Sequence, residues 1–519
     1  MAKFCMLLIL LIAVCSTSAS SKSAKSEDGE GLLSCLHASG LTNVTTVSSS
    51  ASEFYSLLNF SAQNLRFTET QTPRPYVIII PESQSQLEQS VVCSIQRGWE
   101  VRVRSGGHSY EGLSYTSDVP FVLIDLLKLN KIKVDVKSKT AWVQTGATLG
   151  EVYSAIANSS PNLAFPAGVC HTVGSGGHIA GGGLSFLSRK YGLAADNVLD
   201  ALLINASGKV MDKNTMGKDV FWALRGGGGG SWGVVYAWKL QLVSVPTILT
   251  AFTVLKTGAD NVTEAVHRWQ YVGPQMEEDI FMRVQFFGIK VNNSTTIRAS
   301  FHGIYLGRQT ELVTKMGKIF PELGMVTAHC KEMKWIETIG NFDSINVSQM
   351  TNRYYTNKVF FKIKSDFGKK PLTKAALRGL WSIMEEEVSA YAIFSPLGGI
   401  MNMIPSTALP FPQRKGTLFD VQYKVTWTNK SEDDHYIEWM RKLHKYMKPY
   451  VSHSPRASYV NYLDLDLGSA FNGSASVEKA RAWGDKYFHH NYNRLVRAKT
   501  QVDPMNYFRN SQSIPPLAN

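Results

Sequence analysis

The chain is poor in features that would mark several common classes of protein. Its 519 residues contain only six cysteines, none in a CxxC pair, which argues against a zinc ribbon and a disulfide-dense miniature scaffold. There is no HExxH zinc-binding pair and no glycine loop ending in Gly-Lys-Ser/Thr, so metalloprotease and P-loop chemistry are excluded. The net charge is +13, yet no run of Lys or Arg exceeds two residues. Nucleic-acid binding needs that charge gathered in a stripe; dispersed charge supports only weak attraction to acidic polymers. Beyond Val14 no stretch is long and apolar enough to span a bilayer, which takes roughly 20 residues. There is no internal repeat.

What is present begins with an address. Lys3 precedes the unbroken apolar run Phe4–Val14, followed by the small residues Ser16, Ser18, Ala19 and Ser20, the pattern of a cleavable secretory signal over residues 1–20. The mature chain is expected in the apoplast or a vacuole. Ser20–Gly31 reads as disordered. Ten N-x-S/T triplets, opening at Asn43, Asn59, Asn158, Asn205, Asn261, Asn292, Asn293, Asn346, Asn429 and Asn472, suit a glycoprotein. Cys5 and Cys15 leave with the signal, and Cys35, Cys93, Cys170 and Cys330 remain. In an oxidising compartment two disulfides are the default for four thiols.

Single cores stop growing at roughly 250–300 residues, so the mature chain is expected to form more than one domain. Residues 73–248 alternate β-like runs with glycine-rich turns. Tyr76–Ile80, Glu100–Arg104, Phe121–Asp125 and Thr140–Thr145 read as strands, Leu87–Arg97 and Leu149–Asn158 as helices. In residues 249–455, Ile280–Ile289 and Arg298–Tyr305 alternate like strands of an antiparallel sheet with one covered face. Thr310–Ile319 and Leu372–Glu386 read as helices. Residues 456–519 carry a helix at Val477–Phe488 and a polar tail, and residues 21–72 form an N-terminal segment. The class is α+β.

Three glycine-rich segments dominate: Arg104–Gly112, Pro166–Gly183 and Arg225–Gly233. Glycine lets backbone N–H groups approach an anion closely, and three such loops suit a large phosphorylated cofactor. Gly228, Gly230 and Gly233 satisfy GxGxxG, but the dinucleotide fold needs a helix directly afterwards, and Val234–Leu242 alternates like a strand. The same test rejects Ser231 as a hydrolase nucleophile, whose elbow also requires a following helix.

These segments, with TPRPYVIIIP near residue 73, ATLGEVY near 147, RKYGLAADNVLDA near 189, DVFWALRGGGG near 219 and NYLDLDLG near 461, resemble the berberine bridge enzyme family of FAD-linked oxidoreductases over nearly the whole mature chain. The resemblance implies a two-lobed FAD-binding domain of the PCMH (vanillyl-alcohol-oxidase-like) type and an antiparallel-sheet substrate domain covered by helices. It implies FAD attached through His108 and Cys170. Imidazole and thiolate are nucleophiles able to attack the flavin ring. It also implies a Cys35–Cys93 disulfide and leaves Cys330 as a buried free thiol. Arg104, Ser105, Gly106, Gly107, Gly112, Val173, Gly174, Gly177, His178, Gly182, Val235 and Asn461 are the remaining cofactor-binding candidates. Val173 matches a position that gates oxygen, where valine accompanies oxidase behaviour.

By the same resemblance Tyr462 is the base that takes a substrate proton while a hydride passes to flavin N5. Nearby positive charge is expected to lower its pKa. Asp420, Gln422 and Arg283 match positions facing the substrate. Leu184, Leu397 and Leu463 stand where the family pattern has two tyrosines and an arginine, which implies an apolar or aromatic substrate. The expected activity is an oxidase reducing O2 to H2O2. The alternatives are a Diels–Alderase that retains FAD without net oxidation, and a non-catalytic flavoprotein binder. The expected partners are a small aromatic molecule and O2, with no nucleic acid and no membrane, and the expected state is a monomer.

Overall fold

The computed structural model describes residues 28–292, 294–355, 358–471 and 474–518. The expected signal, residues 21–27 and the Asn293 and Asn472 acceptors lie outside them. Residues 28–38 form a helix, so the expected disorder does not extend to Gly31. The apolar pair Leu32 and Leu36, one turn apart, is fully buried there, and Cys35 is joined to Cys93 in a disulfide.

The first lobe holds strands β1 (Val44–Thr45), β2 (Ile78–Ile79), β3 (Glu100–Arg104) and β4 (Phe121–Asp125). They lie in the order β1-β2-β4-β3, parallel among β2, β4 and β3. All five residues of β4 are buried, as a parallel strand covered on both faces requires. The helix Gln84–Gln96 packs beside them, its first turn capped by the Ser83 hydroxyl. Of the strand expected over Tyr76–Ile80 only Ile78–Ile79 forms.

The second lobe is a five-stranded sheet, β5-β6-β10-β8-β9. It is built from β5 (Ile132–Asp135), β6 (Thr140–Gln144), β8 (Val198–Ile204), β9 (Val210–Met211) and β10 (Val234–Gln241), while β7 (Leu163–Ala164) pairs with β11 (Val243–Ser244). The GxGxxG segment therefore runs into a strand, as its alternation predicts.

The third unit is a seven-stranded antiparallel sheet in the order β15-β12-β14-β13-β17-β18-β16. Its strands are β12 (Leu249–Thr257), β13 (Ile280–Val291), β14 (Ser294–Tyr305), β15 (Cys330–Met333), β16 (Phe360–Gly368), β17 (Ala390–Pro396) and β18 (Phe419–Trp427). Period-two alternation sends Met282, Val284, Phe286, Val421 and Tyr423 into one core, together with Trp269, Trp381 and Met440 of helices Ala259–Val272, Lys374–Met384 and Asp433–Met447. Their neighbours Arg283, Gln285, Gln422 and Lys424 point to the opposite face and are only half-buried. Cys330 is free but half-buried, not buried, because β15 is an edge strand. The C-terminal helices Val477–Phe488 and Tyr492–Val502 return to the first half of the chain, where Trp483 and Leu495 join the core of the second lobe.

The sheet is tied to the lobes by buried guanidinium groups. Arg189, 1% exposed, donates to the carbonyls of Leu397 (3.2 Å), Glu277 (3.1 Å) and Pro274 (3.3 Å) and also to those of Met276 and Ile280. Arg414 grips Asp196 with two bonds of 2.9 Å. Replacing Arg189 by Met leaves these carbonyls unpaired in a dry interior, and each buried orphan costs about 1–3 kcal/mol. Arg189→Met is expected to lower stability by about 3 kcal/mol or more in urea unfolding followed by tryptophan fluorescence; a loss under about 1 kcal/mol overturns this account of the junction.

Candidate functional site

Two of the glycine loops meet backbone to backbone. A Cβ on Gly106 would lie 2.2 Å from the Gly174 nitrogen, and one on Gly174 would lie 2.3 Å from the Gly106 nitrogen. No other residue fits either place. The Ser105 hydroxyl helps to join them, donating to Thr145 O at 2.5 Å and accepting from Gly176 N at 3.3 Å. Beside this contact runs a cavity of about 270 Å³. Its apolar wall includes Val101, Leu126, Trp232 and Ile514, and all three glycine segments border it.

Of the residues expected to bind a cofactor, Ser105, Gly106, Gly107, His108, Val173, Gly174, Gly177, His178, Val235 and Asn461 line this cavity, as does Tyr462. Arg104 does not. Its guanidinium bonds Asp125 Oδ2 at 2.8 Å and the Leu58 carbonyl at 2.6 Å, so it anchors the end of helix Ala51–Asn59 instead. Gly112 and Gly182 also lie off the wall. Their φ values of +68° and +109° make them turn residues.

Cys170 sits next to the cavity rather than in its wall, in a cluster with His108. Nε2 of His108 is 2.8 Å from the Thr172 hydroxyl, and Sγ of Cys170 is 3.6 Å from the same oxygen. Burial pushes the imidazole down to about 3, which leaves it neutral. Burial, aided by Asp343, pushes the Cys170 thiol up to about 11, against the pull of Thr172 and Lys424. The resting group is therefore a thiol, not the expected thiolate.

At the same end, aromatic rings converge. Tyr110 stacks on Tyr462 at 5.8 Å and Tyr459 meets Tyr462 edge-on at 4.9 Å. The Tyr459 hydroxyl accepts from Gly183 N at 2.8 Å and from Asn461 Nδ2 at 2.9 Å. Gln422 Nε2 donates to the Tyr110 hydroxyl at 3.2 Å. Arg283 lies over the Phe186 ring at 4.7 Å and donates from Nε to His302 Nε2 at 2.7 Å.

The electrostatics differ from expectation at Tyr462. Burial, with Tyr110, Asp420 and Tyr459, drives its phenol well above its ordinary value, and the charge on Arg283 does not reverse this. Asp420 is pushed by burial up to about 7, against Arg283 and Ser395, and so titrates near neutrality. The leucines also leave less of the site apolar than expected. Leu397 is 1% exposed in the core, Leu463 borders the cavity, and Arg283, Gln422 and Lys424 keep that face of the sheet polar. Sequence reading passed over Tyr110, Thr172, His302, Tyr391 and Lys424. Lys424 was within reach, since it follows Gln422 by two residues on a strand and so shares its face.

A glycine-walled cavity suits a large cofactor. Cβ atoms at Gly177 and Gly230 would meet no protein atom within 4 Å, so these positions leave room that a ligand can fill. The Ser114 hydroxyl, also on the wall, is buried without a hydrogen-bond partner among the described residues. Residues 75–213 match the family model described as FAD binding domain, and residues 458–515 that described as berberine and berberine like. The chain is 49% identical to berberine bridge enzyme-like D-2 of Nicotiana tabacum, over 89% of this chain and 87% of that protein. It is 45% identical to the reticuline oxidase of Eschscholzia californica, over 95% and 93%. The solved structure of berberine bridge enzyme from Eschscholzia californica superposes with a TM-score of 0.91 at 44% identity, covering 94% of this chain and 99% of that one.

The open space at Gly177 gives a direct check. Gly177→Val is expected to keep the far-ultraviolet circular dichroism of the folded chain and lower FAD content at least tenfold, read as the ratio of visible to ultraviolet absorbance of purified protein. Full yellow colour in this variant overturns the assignment of the cavity.

Proposed function

The chain belongs to the berberine bridge enzyme-like family of FAD-dependent oxidoreductases, and from that premise we propose a secreted oxidase that carries FAD bound at His108 and Cys170 and acts on an aromatic small molecule. The observation that carries the reading is the convergence of His108 and Cys170 on the Thr172 hydroxyl beside the glycine-walled cavity. When bound, FAD accepts two electrons from the substrate and passes them to O2, giving H2O2. The tyrosine rings supply flat surfaces for an aromatic substrate. Secretion is supported by the apolar N-terminal run and by the Cys35–Cys93 disulfide. Val173 on the cavity wall supports reaction with oxygen.

The protein's own part is orientation and proton removal. A general base works best with a pKa near the working pH. Asp420 meets that condition, while Tyr462 is held protonated. We assign the substrate proton to Asp420, and to Tyr462 the task of holding the substrate by donating a hydrogen bond. Arg283, within electrostatic reach of both, favours the carboxylate form of Asp420 that can take the proton.

Two outcomes follow. Acid-precipitated protein keeps its yellow colour, as do His108→Ala and Cys170→Ala through the remaining link, while the double variant releases it. Colour in the wild-type supernatant sinks the double attachment, and product formed without peroxide sinks the oxidase. A base must be deprotonated to act, so flavin reduction measured without air should accelerate about tenfold per pH unit below 7 and level off above it. Asp420→Asn should lower that rate by roughly 10²–10⁴-fold and abolish the inflection, whereas Tyr462→Phe keeps it. An inflection that survives Asp420→Asn moves the base elsewhere.

A further inference from the structure

The face of the large sheet that looks away from its helices carries two cations without a committed counter-ion. Arg283 on β13 is half-buried, within electrostatic reach of Tyr462, Tyr391 and Asp420. Its Nε is spent on His302 Nε2 at 2.7 Å. Because that ring nitrogen accepts, the proton of His302 is on Nδ1, which lies 3.1 Å from the Ser300 hydroxyl and 3.2 Å from the Ser300 carbonyl. His302 is thus a neutral prop and brings no negative charge. Phe186 supports the flat side of the guanidinium at 4.7 Å. The two terminal nitrogens, Nη1 and Nη2, make no hydrogen bond and no ion pair within 4 Å among the described residues. Lys424 on β18 has its Nζ 4.8 Å from the Phe361 ring and 5.9 Å from that of Tyr391, likewise with no ion pair.

The carboxylates nearby balance this charge only in part. Asp343 is committed to His171, accepting from its backbone N–H at 2.8 Å and pairing with its ring. Asp420 reaches Arg283 only through space, bonded to Ser395. A cation in such a setting is costly unless an anion joins it. The free Nη1–Nη2 edge is a fork of two parallel donors, the shape that matches a carboxylate with two bonds. We propose that the substrate is an aromatic carboxylic acid, whose carboxylate is received by the Nη1–Nη2 edge of Arg283 while Lys424 supplies further positive charge. This rests on the reading of the site as the substrate pocket of an FAD enzyme. It narrows the expectation of an apolar or aromatic substrate to an aromatic one that carries a carboxylate.

Binding tests this apart from turnover. Holoenzyme is titrated with cinnamate, with methyl cinnamate and with 4-vinylphenol, and perturbation of the flavin absorption band gives Kd for each. Cinnamate is expected to bind at least 30-fold more tightly than its methyl ester. Arg283→Met should reduce that ratio to threefold or less. Arg283→Lys should restore part of it, since charge returns without the fork. Lys424→Met should reduce it severalfold and serves as the independent check where Arg283→Met unfolds. Equal binding of acid and ester, no perturbation by cinnamate, or a ratio unchanged in the folded variants overturns the proposal. Preference for 4-vinylphenol over cinnamate assigns the fork to a phenolic oxygen and equally overturns it. Peroxide is not read here, so failure of the oxidase reading, seen as absent peroxide with the acid preference intact, stays distinguishable.

Discussion

The approach of Gly106 to Gly174 is the constraint on which the site is built. A side chain on either residue would occupy the other's backbone, and with two glycines the loops touch directly. That contact carries His108, two residues beyond Gly106, and Cys170, four before Gly174, to within reach of one threonine hydroxyl. Neither nucleophile is near the other in sequence. Their meeting is a property of two loops pressed together, with Ser105 as the pin between them.

A second constraint holds this assembly against the large sheet. Lys362 and Lys364 on β16 are each 2% exposed. Lys362 bonds Asp464 at 2.8 Å and also pairs with Glu111, while Lys364 bonds Asp464 at 2.7 Å and Asp466 at 2.6 Å. Buried charges are expensive to desolvate, and removing one partner commonly costs about 3–5 kcal/mol because the other is stranded. Glu111 belongs to the loop of His108, and Asp464 follows Tyr462 by two residues. The network therefore fixes the attachment loop and the tyrosine segment to one strand. The helix-facing side of the sheet achieves its fit by apolar packing; this junction achieves it by saturated polar pairing, like the five-carbonyl socket of Arg189.

The electrostatics of the pocket follow from the same burial. Low polarizability disfavours whichever form is charged, so His108 and His302 stay neutral, Cys170 stays a thiol and the tyrosines stay phenols. In Asp420 the opposing influences end near neutrality: burial raises it and Arg283 draws it back. One guanidinium thus has two tasks. It limits how far Asp420 rises, and its Nε–H fixes the tautomer of His302.

Much was legible along the chain because it depends on short periods. β-Branched and aromatic content marked Glu100–Arg104 and Phe121–Asp125 to the residue, and alternation of two identified β10 as a strand, which dismissed the GxGxxG pattern. The glycine loops were also visible there, as was the resemblance to the berberine bridge enzyme family, which in turn implied the Cys35–Cys93 pair. Only the tertiary structure decided that Arg104 serves the frame rather than the cavity, that Tyr462 is held protonated, and that Arg283, His302, Asp420 and Lys424 share one face. The strands bearing these four are β13, β14 and β18, and the Arg283 that draws Asp420 back lies more than a hundred residues from it in sequence. Local pattern determines which way a side chain points. What it then meets, and whether it keeps its proton, depends on the burial created when separate elements close over it.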